Sequence, residues 1–159
     1  MDNEKDLSVE KHNLLIEETR QSFFQLENLT TALDNKAYGM IAFNTILLSI
    51  FGYIIVNYFN YSLMYIAPVL LVGSLILLLF CVYLREWGRP IADRTFDLFD
   101  NLDVKAISKQ LAINYLSCEA ALLEKYINKV KYLKISFIFT VLAIIIELVA
   151  ISWLVINSL

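Results

Sequence analysis

The chain has 159 residues, 58% of them hydrophobic, with 13 Lys or Arg against 16 Asp or Glu and a formal net charge of −3. All the cations lie in residues 1–36 and 85–134, and the three long apolar runs that those segments flank contain none. A water-soluble fold would have to bury three helices that are apolar all round in a core this chain is too short to build, so the composition points to a membrane protein.

Residues 1–37 read as a cytosolic N-terminal helix. Val9, His12, Ile16, Thr19, Phe23, Leu26, Thr30, Leu33 and Ala37 recur at intervals of three and four. That spacing presents one helix face to a neighbouring helix. Neither Gly nor Pro occurs between residues 8 and 38, so the helix is expected to run from near Ser8 into the first apolar run. The first 36 residues are polar, and no signal-peptide pattern is visible in them.

Residues 38–58 form the first expected transmembrane helix. A helix needs roughly 20 mostly apolar residues to cross a hydrocarbon core, and in lipid it satisfies its own backbone hydrogen bonds. An uncharged loop from Phe59 to Ser62 leads to a second span at residues 63–84. Pro68 near its outer end either kinks it or belongs to its first turn.

Residues 85–134 read as a cytosolic helical region. Gly88 and Pro90 break the second helix just past the membrane surface, and the stretch around Phe96, Leu98, Phe99 and Leu102 reads as a hairpin or short helix at the cytosolic tip. From Val104 onward, Ile107, Leu111, Tyr115, Cys118, Leu122, Tyr126, Val130 and Leu133 continue the three-or-four spacing. A second row, Leu116, Ala120, Leu123 and Ile127, lies beside it and widens the stripe beyond a two-helix seam. Residues Ile16, Phe23, Leu26, Leu33, Leu111, Tyr115, Leu122 and Tyr126 are therefore the candidate oligomer seam. A stiff intramolecular hairpin is the plainer use of the same pattern.

Residues 135–156 form the third span, followed by an uncharged tail. The fold class is all-α membrane protein: three transmembrane helices with long helical cytosolic extensions forming a stalk, read as one structural unit. Topology follows Lys and Arg rather than net charge. The N-terminal segment is net −4, with four cations and eight acids, yet it belongs inside with residues 85–134, which have nine cations and seven acids. The N-terminus is expected in the cytoplasm and the C-terminus outside.

Catalytic constellations are missing: no Gly-rich phosphate loop, and no nucleophile with a base at plausible spacing. One His and two Cys in different environments leave neither a metal site nor a disulfide framework. The expectation is a protein that is not an enzyme and has no cofactor. Lys125, Lys129, Lys131 and Lys134 suit anionic lipid headgroups and topology fixing rather than nucleic acid.

Glu147 is the only ionisable acid or base within a span, about twelve residues into the third helix and near ~18 Å depth. Ser49 and Ser74 lie at comparable depth, with Asn44 and Thr45 a turn or more closer to the cytosol. These groups either hydrogen-bond a protonated Glu147 as ordinary helix glue, or Glu147 carboxylates from several subunits line a cation path.

The sequence Leu33-Asp34-Asn35-Lys36-Ala37 before the first span, Asn44 inside it, an Arg-Pro element after the second, and a long helix through Lys125 to Lys134 into the third resemble the transmembrane effector domain of Pycsar antiphage systems. The same features are similar to the related SLATT-type effectors. The resemblance covers residues of about 15 to 155. It implies a prokaryotic inner-membrane effector that oligomerises and permeabilises the membrane on a nucleotide signal, with a cyclic nucleotide or a separate sensor protein as partner. No stretch of the chain reads as a separate nucleotide-binding domain. If the motif is meaningful, Asp34 and Lys36 pair with the descending helix, for example near Lys131 and Glu124, and couple stalk to membrane. A small membrane scaffold that recruits a cytosolic partner through its stalk is the alternative from a different class.

Overall fold

The computed structural model describes residues 2–57, 62–83 and 104–158. They contain three α-helices and one short 3₁₀ turn, and no strand: α1 (Asp2–Asn57), the 3₁₀ turn (Ser62–Tyr65), α2 (Ile66–Tyr83) and α3 (Val104–Ser158). Each α-helix has a portion long and apolar enough to cross a membrane. The expected break at Gly88 and Pro90 and the expected tip around Phe96 to Leu102 lie outside the described residues.

Helix α1 is continuous and starts earlier than Ser8, since no breaker stands between Asp2 and Asn57 that the surrounding turns cannot absorb. Pro68 is the third residue of α2, where a missing N–H costs no helical hydrogen bond. It therefore opens the helix rather than kinking it.

Two compact units divide the chain: residues 1–31 with 86–127, and residues 32–85 with 128–159. In the first unit, Thr19, Phe23 and Thr30 of α1 and Ala112 and Leu122 of α3 are buried. Phe23 meets Tyr115 edge-on, with ring centroids 5.9 Å apart. Ile16, Leu26, Leu111, Tyr115 and Tyr126 are half-buried. Within one chain, Phe23, Leu33 and Leu122 of the candidate oligomer seam are thus buried and the other five keep part of their surface. Leu116, Leu123 and Ile127 of the second row stay exposed.

In the second unit α2 and the apolar portions of α1 and α3 each meet the other two, and buried positions recur every seven residues. On α1 they are Ala37, Asn44 and Phe51. On the 3₁₀ turn and α2 they are Met64, then Leu71 and Leu78, with Ala67, Ser74 and Cys81 beside them. On α3 they are Lys129, Ser136, Ala143 and Ala150, with Thr140 and Glu147 beside them. A seven-residue period is that of left-handed knobs-into-holes packing, in which the seam keeps facing its partner turn after turn. Leu33 is buried in this unit too.

One apolar cluster joins Phe51, Ala67, Leu71 and Ala143, and another joins Ala37, Leu78 and Cys81. The outward faces carry Phe43, Ile46, Ile50, Ile76, Leu79, Leu142 and Ile145 in exposed positions. An apolar exterior around a partly polar interior fits lipid as the solvent of this unit.

Candidate functional site: a polar seam inside the membrane unit

The interior faces that meet in the second unit carry seven buried polar or charged side chains: Asp34, Asn44, Ser74, Lys129, Ser136, Thr140 and Glu147. They fall into three groups along the helices.

At the ends of the spans next to the first unit's helices, Lys129 Nζ donates to Asp34 Oδ1 at 2.5 Å, with both side chains almost fully out of solvent. Helix α1 positions the carboxylate and α3 the ammonium. On the α2 side, Cys81 Sγ donates to the Lys129 carbonyl at 3.7 Å. An isolated charge in such a place costs several kcal/mol, and a partner in contact offsets much of that.

Deeper in, four side chains from all three helices close on one another. Asn44 Nδ2 donates to Ser74 Oγ at 2.7 Å, and Thr140 Oγ1 donates to Asn44 Oδ1 at 3.0 Å. The Ser74 hydroxyl lies 2.7 Å from Ser136 Oγ and 3.0 Å from Thr140 Oγ1, and 3.0 Å from the Ser136 carbonyl that can accept its proton. Each hydroxyl has one proton and two lone pairs, so a ring of donors and acceptors can close without leaving a polar atom bare. Interhelical bonds of this kind contribute roughly 0.6 to 2 kcal/mol each in a bilayer.

Glu147 stands apart. It is 1% exposed, and neither carboxyl oxygen has a hydrogen-bond partner. Its level follows from the pairings already given. Asn44 meets Thr140, so seven residues further along each parallel helix Phe51 is level with Glu147, and Ala67 of antiparallel α2 falls in the same layer. That layer is apolar.

The expected polar partners of Glu147 are therefore engaged elsewhere. Asn44 and Ser74 do come together, but with Ser136 and Thr140, which sequence reasoning missed. Ser49 and Thr45 point away from the seam. Both are exposed, and each bonds a carbonyl of its own helix, Ser49 that of Thr45 and Thr45 that of Ile41. A serine hydroxyl facing outward is satisfied by the carbonyl one turn back and needs no second helix.

Asp34 does pair with the descending helix, but through Lys129 rather than Lys131, and Lys36 is exposed and outside the pair. Lys129 is likewise not one of the headgroup-facing cations, because it is fully buried. Its signal in the sequence is the strict period Tyr115, Leu122, Lys129, Ser136, Ala143, Ala150. Among the described residues, no cluster of His, Cys, Asp or Glu could hold a metal ion.

No family model, curated protein or solved structure matches the chain.

Proposed function

We propose that this protein is a membrane effector: it oligomerises in a prokaryotic inner membrane and permeabilises it when a nucleotide signal of antiphage defence arrives. The observation that carries the reading is the polar seam. Small side chains and hydrogen bonds between hydroxyls and amides suffice to hold a membrane bundle, whereas buried charges in a lipid-embedded unit are costly features that mark function. The seam here has an ion pair, a four-membered polar ring and an unpartnered acid on faces that meet inside the unit. Two arrangements of such helices, one dry and one hydrated, differ in how those polar groups are satisfied, which is what a triggered permeabiliser needs. The signal enters through the cytosolic helical region, either by a cyclic nucleotide held there or by a separate sensor protein.

A second reading has its own support. Leu14, Leu15, Phe24 and Leu29 of α1 and Ile113, Leu116, Leu123 and Ile127 of α3 are exposed in the unit expected to lie in water. Exposed apolar rows of this kind suit a scaffold that recruits a cytosolic partner.

The two readings separate in cells. With the protein expressed in bacteria alongside a pyrimidine nucleotide cyclase, a potential-sensitive dye reports depolarisation and growth stops if the effector reading is right. Full membrane potential and unimpaired growth under the same conditions, with the protein present in the membrane, overturn it and leave the scaffold.

A further inference from the structure

Among the described residues, Glu147 is the only buried side chain whose polar atoms lack a hydrogen-bond partner. Leaving such a group unmet costs about 1 to 3 kcal/mol, and more if it is charged. A Leu or Met would fill the same layer beside Phe51 and Ala67 without that cost, so the packed bundle gains nothing from a carboxyl here. The acid is explained by a different arrangement of the same helices.

The order of groups along the seam says what that arrangement contains. Passing outward from the cytosolic ends of the spans come the Asp34–Lys129 pair, then the ring of Asn44, Ser74, Ser136 and Thr140, then the apolar cluster of Phe51, Leu71, Ala67 and Ala143, and Glu147 at its level. All three helices contribute, so a water path opened between them would be lined by these side chains, with Phe51 and Leu71 in its apolar layer. Residues 37–57, 66–83 and 135–156 contain no Lys, Arg, His, Asp or other Glu. Once hydrated, Glu147 is the one fixed charge in the apolar length of that path.

We propose that Glu147 is the charge-selecting residue of the open membrane unit, that its ligands are small monovalent cations, and that the packed bundle withholds it from them. This rests on the permeabilising reading above. As water enters, the carboxyl O–H gives its proton to that water, and the resulting carboxylate attracts cations and repels anions, as rings of acids do in cation pores. In the packed state, no water reaches it and no ion is held.

The test uses the full chain in planar bilayers of phosphatidylethanolamine and phosphatidylglycerol under a KCl gradient. Wild type and Asp34→Asn are both measured, because the second breaks the Asp34–Lys129 ion pair and loosens the bundle. The expected reversal potential lies toward that of K⁺. Glu147→Gln, close in shape, keeps the conductance and loses the cation preference, Glu147→Lys shifts the preference toward Cl⁻, and Glu147→Asp retains the wild-type sign. Conducting proteins whose reversal potential is the same with Glu and Gln at this position overturn the inference alone. Bilayers that stay tight with both backgrounds overturn the permeabilising reading and this inference with it.

Withholding is read separately in sealed liposomes that do not leak. A water-soluble carbodiimide with glycine ethyl ester converts an accessible carboxylate to an amide, releasing the urea. Glu147 is expected to stay unmodified until leak begins, and amide formation at Glu147 in tight liposomes overturns the withheld state.

Discussion

A side chain's cost depends on what it meets, and Glu147 and Asn44 show the two extremes within one seam. Asn44 is fully buried, yet both ends of its amide are engaged, by Ser74 and Thr140. Glu147 is as deeply buried with nothing to bind. Replacing Glu147 by Leu should therefore raise the unfolding free energy of the detergent-solubilised protein by about 1 to 3 kcal/mol, the cost of one unmet buried polar group. Thermal melts of the two proteins in the same detergent check this, and an unchanged or lower midpoint for Glu147→Leu would mean that the carboxyl has a stabilising partner. The sequence makes Glu147 conspicuous because it is the only charge in a span, but it does not show what surrounds it. Ser49 and Thr45 looked equally suited to face it. They turn outward because α1 keeps a seven-residue phase through Ala37, Asn44 and Phe51, and neither residue lies on it.

At the level of the helices, three apolar spans were legible because each is apolar all round, a property that survives any error in phase. The phase itself was not. Reading α3 for apolar residues selects Val130 after Tyr126, whereas the buried row passes through Lys129, since a cation on a seam is discounted until its counter-charge is known to face it. Asp34 sits one residue past Leu33 on α1 and supplies that counter-charge. Removing one member deprives the other of its counter-charge inside the unit, so the single variants Asp34→Asn and Lys129→Met should both destabilise it. Asp34→Asn removes the carboxylate that faces the buried Lys129 and should cost about 3 to 5 kcal/mol. The double variant Asp34→Asn with Lys129→Met removes both charges and should regain most of that loss. Denaturation in mixed micelles would measure it, and additive losses in the double variant would show that the two groups do not act as a pair. A second element-scale expectation concerns the exposed row on α3. Ile113, Leu116, Ala120, Leu123 and Ile127 follow three-and-four spacing, and the packing of α1 leaves Ile113, Leu116, Leu123 and Ile127 exposed. If copies associate through it, Leu116→Glu with Leu123→Glu should reduce the wild-type oligomer to a monomer. Light scattering after size exclusion in detergent decides this, and a wild-type monomer would place the row against a different partner.

For the molecule as a whole, the distribution of charge should fix how it lies in a bilayer. Lys and Arg flank the spans only at one set of ends: residues 1–36 precede the first, residues 85–134 join the second to the third, and the connection at 59–62 and the last residues have none. Cations resist translocation and acids largely do not count, so an N-terminal segment of net −4 is expected on the same side as the Lys-rich approach to the third span. The two cysteines provide a direct measurement because they differ in access. Cys81 is fully buried beside the Lys129 carbonyl, and Cys118 is only half-buried on α3. A membrane-impermeant maleimide should therefore label Cys118 in inside-out vesicles and not in right-side-out ones, and Cys118→Ser should abolish the signal in the inside-out vesicles. Labelling of Cys118 from the outer face would reverse the orientation. It would also put Lys125, Lys131 and Lys134 on the far side of the bilayer, and with them the cytosolic entry of the signal on which the effector reading depends.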